Sequence, residues 1–185
     1  MNAAAPAAAQ RWVALLRGIN VGRAQRLPMA DLIALLEGLG CSGVRTVLNS
    51  GNAAFDAPQG TKPAELAGRL QAAIHARLGL TVPVQVRTAD LWRAIVAANI
   101  LADGAADASR LLVIFPAHGR RIADCAPAAD LLAPAERLHV GPEAAYLWCA
   151  DGILQSRAGA ALLGSQGQHV TTRNWATVSK IAALL

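Results

Sequence analysis

The sequence has no long apolar run, no long basic run and few aromatic residues, and these features exclude or disfavour several classes of function. No uninterrupted hydrophobic stretch reaches the roughly 18 residues of a membrane-spanning helix, so we expect no membrane partner. Aromatic residues make up only 4% of the chain, and no basic run exceeds two residues. Because nucleic-acid-binding modules often stack bases on aromatic side chains, binding to RNA or DNA is only weakly indicated.

Cysteine and histidine are too few and too scattered for a disulfide framework or a metal site. The three cysteines, Cys41, Cys125 and Cys149, form no CxxC pair, and their odd number argues against a set of disulfides. The four histidines show no metal-ligand spacing. We therefore expect free thiols, no bound metal and no cofactor.

The N-terminal segment MNAAAPAAAQ lacks both the basic start and the leucine-type apolar block of a signal peptide. Terminal segments of this composition are commonly disordered. We expect residues 1–10 to form a disordered tail and the protein to be cytoplasmic.

The charge of the chain comes almost entirely from arginine. The net charge is +5, but only two of the 17 cationic residues are lysines, Lys62 and Lys180. The excess of arginine over lysine, together with the abundant alanine, favours compositional drift as the origin of the positive charge. Alternatively, the positive charge serves to bind an anionic partner. Both interpretations stay open at this point.

The first half of the chain alternates strand and helix patterns. Residues 28–40 carry apolar side chains at i, i+3, i+4 and i+7 and end on a glycine, which predicts a helix. Valines alternate along the last strand, which predicts that Gln85 and Arg87 point to solvent. The predicted strands are 12–16, 44–48, 53–57 and 81–87, and the second helix is 64–78.

This order is βαββαβ, which is typical of a ferredoxin-like subdomain over residues 11–88. A second α+β subdomain, residues 89–185, ends in a helix. In the ferredoxin-like order the first two strands are parallel, with the third strand antiparallel between them. The segment LRGINVG (16–22) and the turn NSGN (49–52) should therefore be neighbours at one edge of the sheet.

The glycine-rich segment after the first strand matches no specific phosphate-binding fingerprint. It lacks the spacing and lysine of a P-loop, and it does not open directly into a helix as a dinucleotide fingerprint does. It is either a tight turn or an anion-binding loop, in which a guanidinium, an amide and exposed backbone N–H groups would contact the ligand. The residues concerned are Arg17, Gly18, Asn20 and Gly22.

The NSGN segment fits an ordinary hairpin turn, and its polar groups also fit a binding role. Ser50 would supply a hydroxyl, Gly51 an N–H group, and Asn49 and Asn52 their amides. A serine nucleophile would need a histidine base, and none lies nearby in the sequence. We do not expect nucleophilic catalysis here.

The C-terminal segment 172–185 is predicted as a helix with a threonine N-cap, Thr171 or Thr172. Arg173, Thr177 and Lys180 then lie at i, i+4 and i+7 along one face. This line of polar groups at a helix start favours either anion binding or a solvated face.

Several segments together resemble the bacterial domain of unknown function 1697 family: RWVALLRGINVG, LPMADLIALLEGLG, VRTVLNSGNAAF and TTRNWATVSKIAALL. The resemblance extends from about residue 11 to the end of the chain. It implies an α+β fold of two ferredoxin-like subdomains packed together, and the family has no established biochemical function. The positions that it marks are Arg17, Gly18, Asn20, Gly22, Ser50, Gly51, Asn52, Thr172, Arg173, Asn174, Trp175, Thr177 and Lys180. Of these we expect all but Trp175 and Thr177 to bind a ligand.

These patterns favour a protein that binds an anionic small ligand, a nucleotide or a phosphorylated metabolite, in a cleft between the subdomains. Two alternatives stay open: an enzyme that transfers a phosphate or another group of such a ligand, and a nucleic-acid-binding protein. The oligomeric state is not indicated by the sequence.

Overall fold

The chain folds into two compact units. The computed structural model describes residues 10–21, 25–127, 129–164 and 167–185. The units divide between Ala89 and Asp90, and the last two residues, Leu184 and Leu185, belong to the first unit. Of the predicted tail, residues 1–9 lie outside the described residues, and Gln10 begins the first strand.

The first unit is a four-stranded antiparallel sheet with two helices. The elements are β1 (Gln10–Leu16), α1 (Met29–Gly38), β2 (Ser42–Thr46), β3 (Asn52–Ala57), α2 (Pro63–Leu78) and β4 (Val84–Thr88). The strand order in the sheet is β2-β3-β1-β4, so β1 and β3 are central and β2 and β4 are the edges. This order confirms the predicted βαββαβ arrangement.

The two helices of this unit bury one apolar stripe each. Helix α1 buries Leu32 and Leu36, one turn apart. Helix α2 buries Leu66, Leu70 and Ile74, which recur at the four-residue spacing of a single helix face. These side chains belong to one hydrophobic cluster with residues of β1, β3 and β4, so the helices and the sheet share one core.

The second unit has the same sheet architecture as the first. Its elements are α3 (Ala89–Ala97), β5 (Leu111–Pro116), β6 (Arg137–Val140), β7 (Ala145–Trp148), α4 (Arg157–Leu163), β8 (Val170–Asn174) and α5 (Trp175–Ala182). Along the chain, two one-turn 3-10 helices, Ile122–Asp124 and Ala129–Leu131, lie between β5 and β6. The strand order is β6-β7-β5-β8, with β5 in the position that β1 takes in the first sheet, so the α+β fold predicted for both halves is confirmed.

The helices are short. The longest described helix, α2, has 16 residues, whereas a membrane-spanning helix needs about 20. None of the helices in the described ranges has the combination of length and apolar character that a membrane crossing requires.

The β2–β3 hairpin closes earlier than predicted. Strand β2 ends at Thr46 rather than at residue 48. The Val47 N–H group donates to the Asn52 backbone oxygen over 2.9 Å. Leu48 then takes a left-handed conformation with φ of 57°. The predicted strand was wrong at this end because an apolar run does not distinguish a strand residue from an apolar residue held in a turn.

The expected exposure of Gln85 and Arg87 is wrong. Their exposed fractions are 5% and 6%. An Arg87 Nη2 group donates to Gln85 Oε1 over 3.3 Å, so the two polar side chains meet each other on a covered face. Alternation assigns residues to opposite faces of a strand but does not say whether a face is exposed.

The C-terminal helix begins later than predicted, and neither threonine is its cap. Val170, Thr171 and Thr172 belong to β8, in keeping with the strand preference of β-branched residues. Asn174 is the N-cap of α5, and its Oδ1 atom accepts hydrogen bonds from the backbone N–H and the hydroxyl of Thr177, at 3.0 and 2.7 Å. The chain therefore changes from strand to helix at a residue with a strong capping preference.

Gly51 in the β2–β3 turn tolerates no side chain, and this provides a stability test. It has φ of 77°, and an added Cβ would lie 2.6 Å from Leu16 Cβ. We expect Gly51→Ala to lower the free energy of unfolding by about 2–4 kcal/mol, since about 1 kcal/mol of backbone strain adds to about 1–3 kcal/mol of overpacking.

The matched control is Gly60→Ala, measured by the same urea titration. Gly60 has φ of 76° but open space around it, so only the backbone strain of about 1 kcal/mol applies. If the two variants lost equal stability, the close packing of the turn against Leu16 would be contradicted.

Candidate functional site

The two predicted loop motifs meet at one edge of the first sheet. The Leu16 N–H group donates to the Gly51 backbone oxygen over 2.8 Å, directly where β1 ends. This contact follows from the topology, because β3 starts beside the end of β1 and runs antiparallel to it. The loop after β1 and the β2–β3 turn therefore form one surface.

The side chain of Asn20 holds this surface together. Its Nδ2 group donates to the Leu27 backbone oxygen over 2.9 Å and to the Asn49 backbone oxygen over 2.7 Å. Its Oδ1 atom accepts from the Leu27 N–H group over 2.9 Å. Both amide hydrogens are thus engaged within the protein, which makes Asn20 a clamp between loop and turn rather than a free donor.

The predicted residues of the turn are likewise held by internal contacts. Asn52 is fully buried. Its Nδ2 group donates to the Val47 backbone oxygen over 2.8 Å and to Ser50 Oγ over 3.1 Å. Gly51 is required by its backbone conformation and by the proximity of Leu16. These residues shape the turn, and Ser50 is exposed at its tip.

A pocket of about 350 Å³ opens between the loop, the turn and the start of α1. The N-cap of α1 is Pro28, which has no hydrogen-bonding side chain, and the first helical amide bonds run from Asp31 and Leu32 to its oxygen. The preceding N–H groups of the helix therefore have no intrahelical partner. The lining residues are Asn20, Arg26, Leu27, Pro28, Met29 and Asn49.

Of the predicted residues, Asn20 and Asn49 are among the described lining residues of this pocket. Arg26 was not predicted as a binding residue. No signal in the sequence pointed to Arg26, because it lies beyond the glycine-rich segment. It precedes Leu27, the residue to which the Asn20 side chain is hydrogen-bonded. Gly22 lies outside the described residues, and Gly18 has φ of 71° in the turn after β1.

Arg26 is the one charged residue among the described lining residues of this pocket. Arg26 is exposed, and Arg17 is half-buried, where burial lowers the pKa of its guanidinium. An opposing charge, the Asp31 carboxylate in the first turn of α1, forms an ion pair with Arg77 Nη2 at 2.8 Å. The acidic residue nearest the helix start is therefore already neutralised by an arginine of α2.

The second unit does not arrange the remaining predicted residues as a helical line. Thr172, Arg173 and Asn174 lie on β8, and Lys180 is exposed on α5. Thr177 is buried rather than part of a solvated face. The predicted i, i+4, i+7 alignment was wrong because Arg173 precedes the helix.

The register of the two sheets nevertheless gives Arg173 a counterpart. Arg87 of β4 lies opposite Val13 of β1, and Arg173 of β8 lies opposite Val113 of β5. The two arginines therefore occupy equivalent positions on equivalent strands, β4 of the first sheet and β8 of the second. Burial lowers the pKa of Arg173 to about 10, and its Nη1 group donates to the backbone oxygen of the preceding residue over 2.7 Å. Sequence reasoning missed Arg87, which a strand-by-strand alignment of the two halves would have paired with Arg173.

The thiols do not have the properties of activated nucleophiles. Burial raises the pKa of Cys41, Cys125 and Cys149, that of Cys149 to about 11. Since the thiolate is the nucleophile, all three are protonated at neutral pH. In the part of the chain that the structure describes, no three metal-binding side chains cluster.

The clamp role of Asn20 can be tested with an isosteric change. Asn20→Asp keeps the shape but replaces the Nδ2 donor by an oxygen that faces two backbone carbonyls. We expect the free energy of unfolding to fall by about 2 kcal/mol, because hydrogen bonds are lost and replaced by repulsion. Chemical denaturation at pH 7 measures the change.

Asn49→Asp is the control, since it introduces the same charge on the exposed partner residue. It should change stability by less than about 0.5 kcal/mol, as expected of a surface substitution. Equal losses in both variants would show that charge, and not the loss of the clamp, explains the effect.

Comparisons with known proteins agree with this fold and leave the function open. The structure resembles that of the conserved bacterial protein SP0830 from Streptococcus pneumoniae, with a TM-score of 0.77 and 24% sequence identity, over 96% of this chain and 99% of that chain. No curated protein matches the chain. The family model described as "Protein of unknown function (DUF1697)" matches residues 9–146. Since that match covers most of the sequence, the chain belongs to the DUF1697 family of proteins of unknown function.

Proposed function

We propose that the first unit binds a small anionic ligand, carrying a phosphate group as nucleotides and phosphorylated metabolites do, in the pocket at the start of α1. The observation that carries this proposal is the composition of the pocket: Arg26 and Asn49 line it together with Pro28 and Met29, at the uncapped start of a helix. A guanidinium binds phosphate oxygens with charge-assisted hydrogen bonds. The N–H groups of a helix start favour anions as well.

The size of the pocket and the fixed position of its loop also suit such a ligand. A volume of about 350 Å³ lies within the range of about 300–1,000 Å³ that is usual for small-molecule sites. The Asn20 clamp fixes the loop to the turn before any ligand arrives. A preformed site loses less conformational entropy on binding, so a few polar groups suffice for useful affinity.

Local charge supports an anion over a cation. Arg26 is the one charged residue among the described lining residues of the pocket, and no carboxylate is among them. The net charge of +5 adds a weaker, long-range attraction. A contribution of Thr172, Arg173, Asn174 and Lys180 to ligand binding stays a prediction.

The test is a calorimetric titration of the protein with inorganic phosphate and with ADP. We expect binding by the wild type and a loss of about 10- to 100-fold in affinity for Arg26→Ala, because a hydrogen bond to a charged group contributes about 1.5–3 kcal/mol. The same titration with Arg17→Ala and Arg173→Ala measures whether either side chain joins the site.

Arg45→Ala is the matched control. Arg45 is an exposed arginine of the first unit on edge strand β2, so its loss changes the net charge equally. It should leave affinity within about twofold. Absence of binding by the wild type, or equal losses for Arg26→Ala and Arg45→Ala, would contradict the proposed site.

A further inference from the structure

A second pocket lies in the second unit, between the segment after β5 and helix α4. Its volume is about 240 Å³. This second-unit pocket shares no described lining residue with the candidate anion site, and the proposed function does not use it. Apart from Asp124 and Cys125, its described lining residues carry apolar side chains: Ala126, Pro127, Leu131, Ala161 and Leu162.

The second-unit pocket exists because the segment after β5 covers its sheet incompletely. In the first unit, α1 follows β1 and buries Leu32 and Leu36 in the same core cluster as residues of α2. In the second unit, two 3-10 helices of three residues each follow β5, and Ile122 is the one buried residue that they contribute. Pro127 lies between them, and proline interrupts a continuous helix because it lacks an N–H group. The space that a longer helix would fill is left open.

The residues around this space lack apolar contacts on one side. Cys125, Ala126 and Leu131 pack against the core of the second unit but are only partly buried. An apolar molecule in the pocket would supply the missing contacts, and dispersion becomes substantial when it is summed over many atom pairs. Apolar cavities of about 150 Å³ already bind benzene. The volume of about 240 Å³ therefore leaves room for a molecule of one or two rings.

Among the described lining residues, the charge of this pocket is balanced. The Asp124 carboxylate accepts hydrogen bonds from Arg121 Nη2 over 2.8 Å and from Arg121 Nε over 3.1 Å. These bonds lower the pKa of Asp124, so its carboxylate is ionised and already paired with a cation. Burial raises the pKa of Cys125, so its thiol is uncharged at neutral pH and behaves as a small hydrophobic group. A charged ligand would lose hydration here without gaining a partner.

We propose that the second-unit pocket binds a neutral apolar molecule with the size of one or two aromatic rings. Leu131, Ala161 and Leu162 contact this molecule, and the Asp124 carboxylate disfavours anions. The site thus differs in ligand chemistry from the anion site of the first unit, whose described lining includes Arg26 and no carboxylate. The proposal goes beyond the proposed function and does not depend on it.

The experiment is a calorimetric titration of the full chain with two probes, indole and indole-3-acetate. The second probe adds a negative charge to the same ring system. We expect indole to bind, and we expect indole-3-acetate to bind at least about tenfold more weakly, since its carboxylate would lose hydration beside Asp124.

The thiol of Cys125 shows where the probe binds. Cys125 is partly exposed, whereas Cys41 and Cys149 are buried. Saturating indole should slow the reaction of Cys125 with a thiol reagent by at least about fivefold, because access limits the reactivity of a thiol.

Ala161→Leu and Ala160→Leu form a matched pair of variants on α4. Ala161 lines the pocket, whereas Ala160 is exposed and is not among the described lining residues. Leucine is a good helix former, so both variants keep the helix. Ala161→Leu should weaken indole binding by at least about tenfold, because the larger side chain occupies the pocket. Ala160→Leu should leave the affinity within about twofold, as expected of a surface substitution.

Indole binding that protects Cys125, is weakened by Ala161→Leu and is unaffected by Ala160→Leu supports the proposal. The proposal is overturned if indole does not bind, if it binds without protecting Cys125, or if the folded Ala161→Leu variant binds it as tightly as the wild type. Equal affinities for indole and indole-3-acetate would also overturn it, because the pocket would then not select a neutral ligand. None of these results depends on Arg26, so the anion site is tested separately.

Discussion

The hydrogen bonds of one carboxamide, that of Asn20, are the constraint on which the candidate site depends. A carboxamide carries two donors and an acceptor on one planar group. Here the Asn20 carboxamide connects the loop after β1 both to Leu27, just before α1, and to Asn49 in the hairpin turn. Its own backbone is left-handed, with φ of 55°, which asparagine tolerates better than most residues. The positions of Arg26 and of the start of α1 follow from this clamp, because both adjoin Leu27 along the chain.

The two units have the same strand order but differ in the segments that follow their equivalent central strands, β1 and β5. Where β1 and β5 end, the Arg17 N–H group donates to the Pro83 oxygen over 3.0 Å, and the Ala117 N–H group donates to the His169 oxygen over 2.8 Å. These are equivalent contacts of equivalent strands. In the first unit the chain continues from this contact into the clamped loop and α1. In the second unit it continues into two one-turn 3-10 helices. The candidate pocket is thus a feature of the first unit, added to a framework that both units use.

Hydrophobic periodicity and topology sufficed to predict much of the fold, including the proximity of the two loop motifs. They did not reveal how side chains within those motifs are used. The amide of Asn20 could equally bind a ligand or the backbone, and only its three-dimensional partners decide between these roles. The alternation of valines along the strand predicted that Arg87 faces solvent, but its side chain is buried. Arg173 was placed on a helix because β-branched residues before a polar run resemble a capped helix start. In each case the missing information is a contact between residues distant in sequence.

In our proposal the clamped loop, the hairpin and the start of α1 form a single preformed anion site. A ¹H–¹⁵N correlation spectrum recorded during a phosphate titration tests it most directly, since it reports each amide separately. We expect saturable shifts concentrated on the backbone amides of Met29 and Ala30 and on the side-chain groups of Arg26 and Asn49. Shifts that scale linearly with phosphate across the whole surface, or a saturable response confined to other residues, would contradict it.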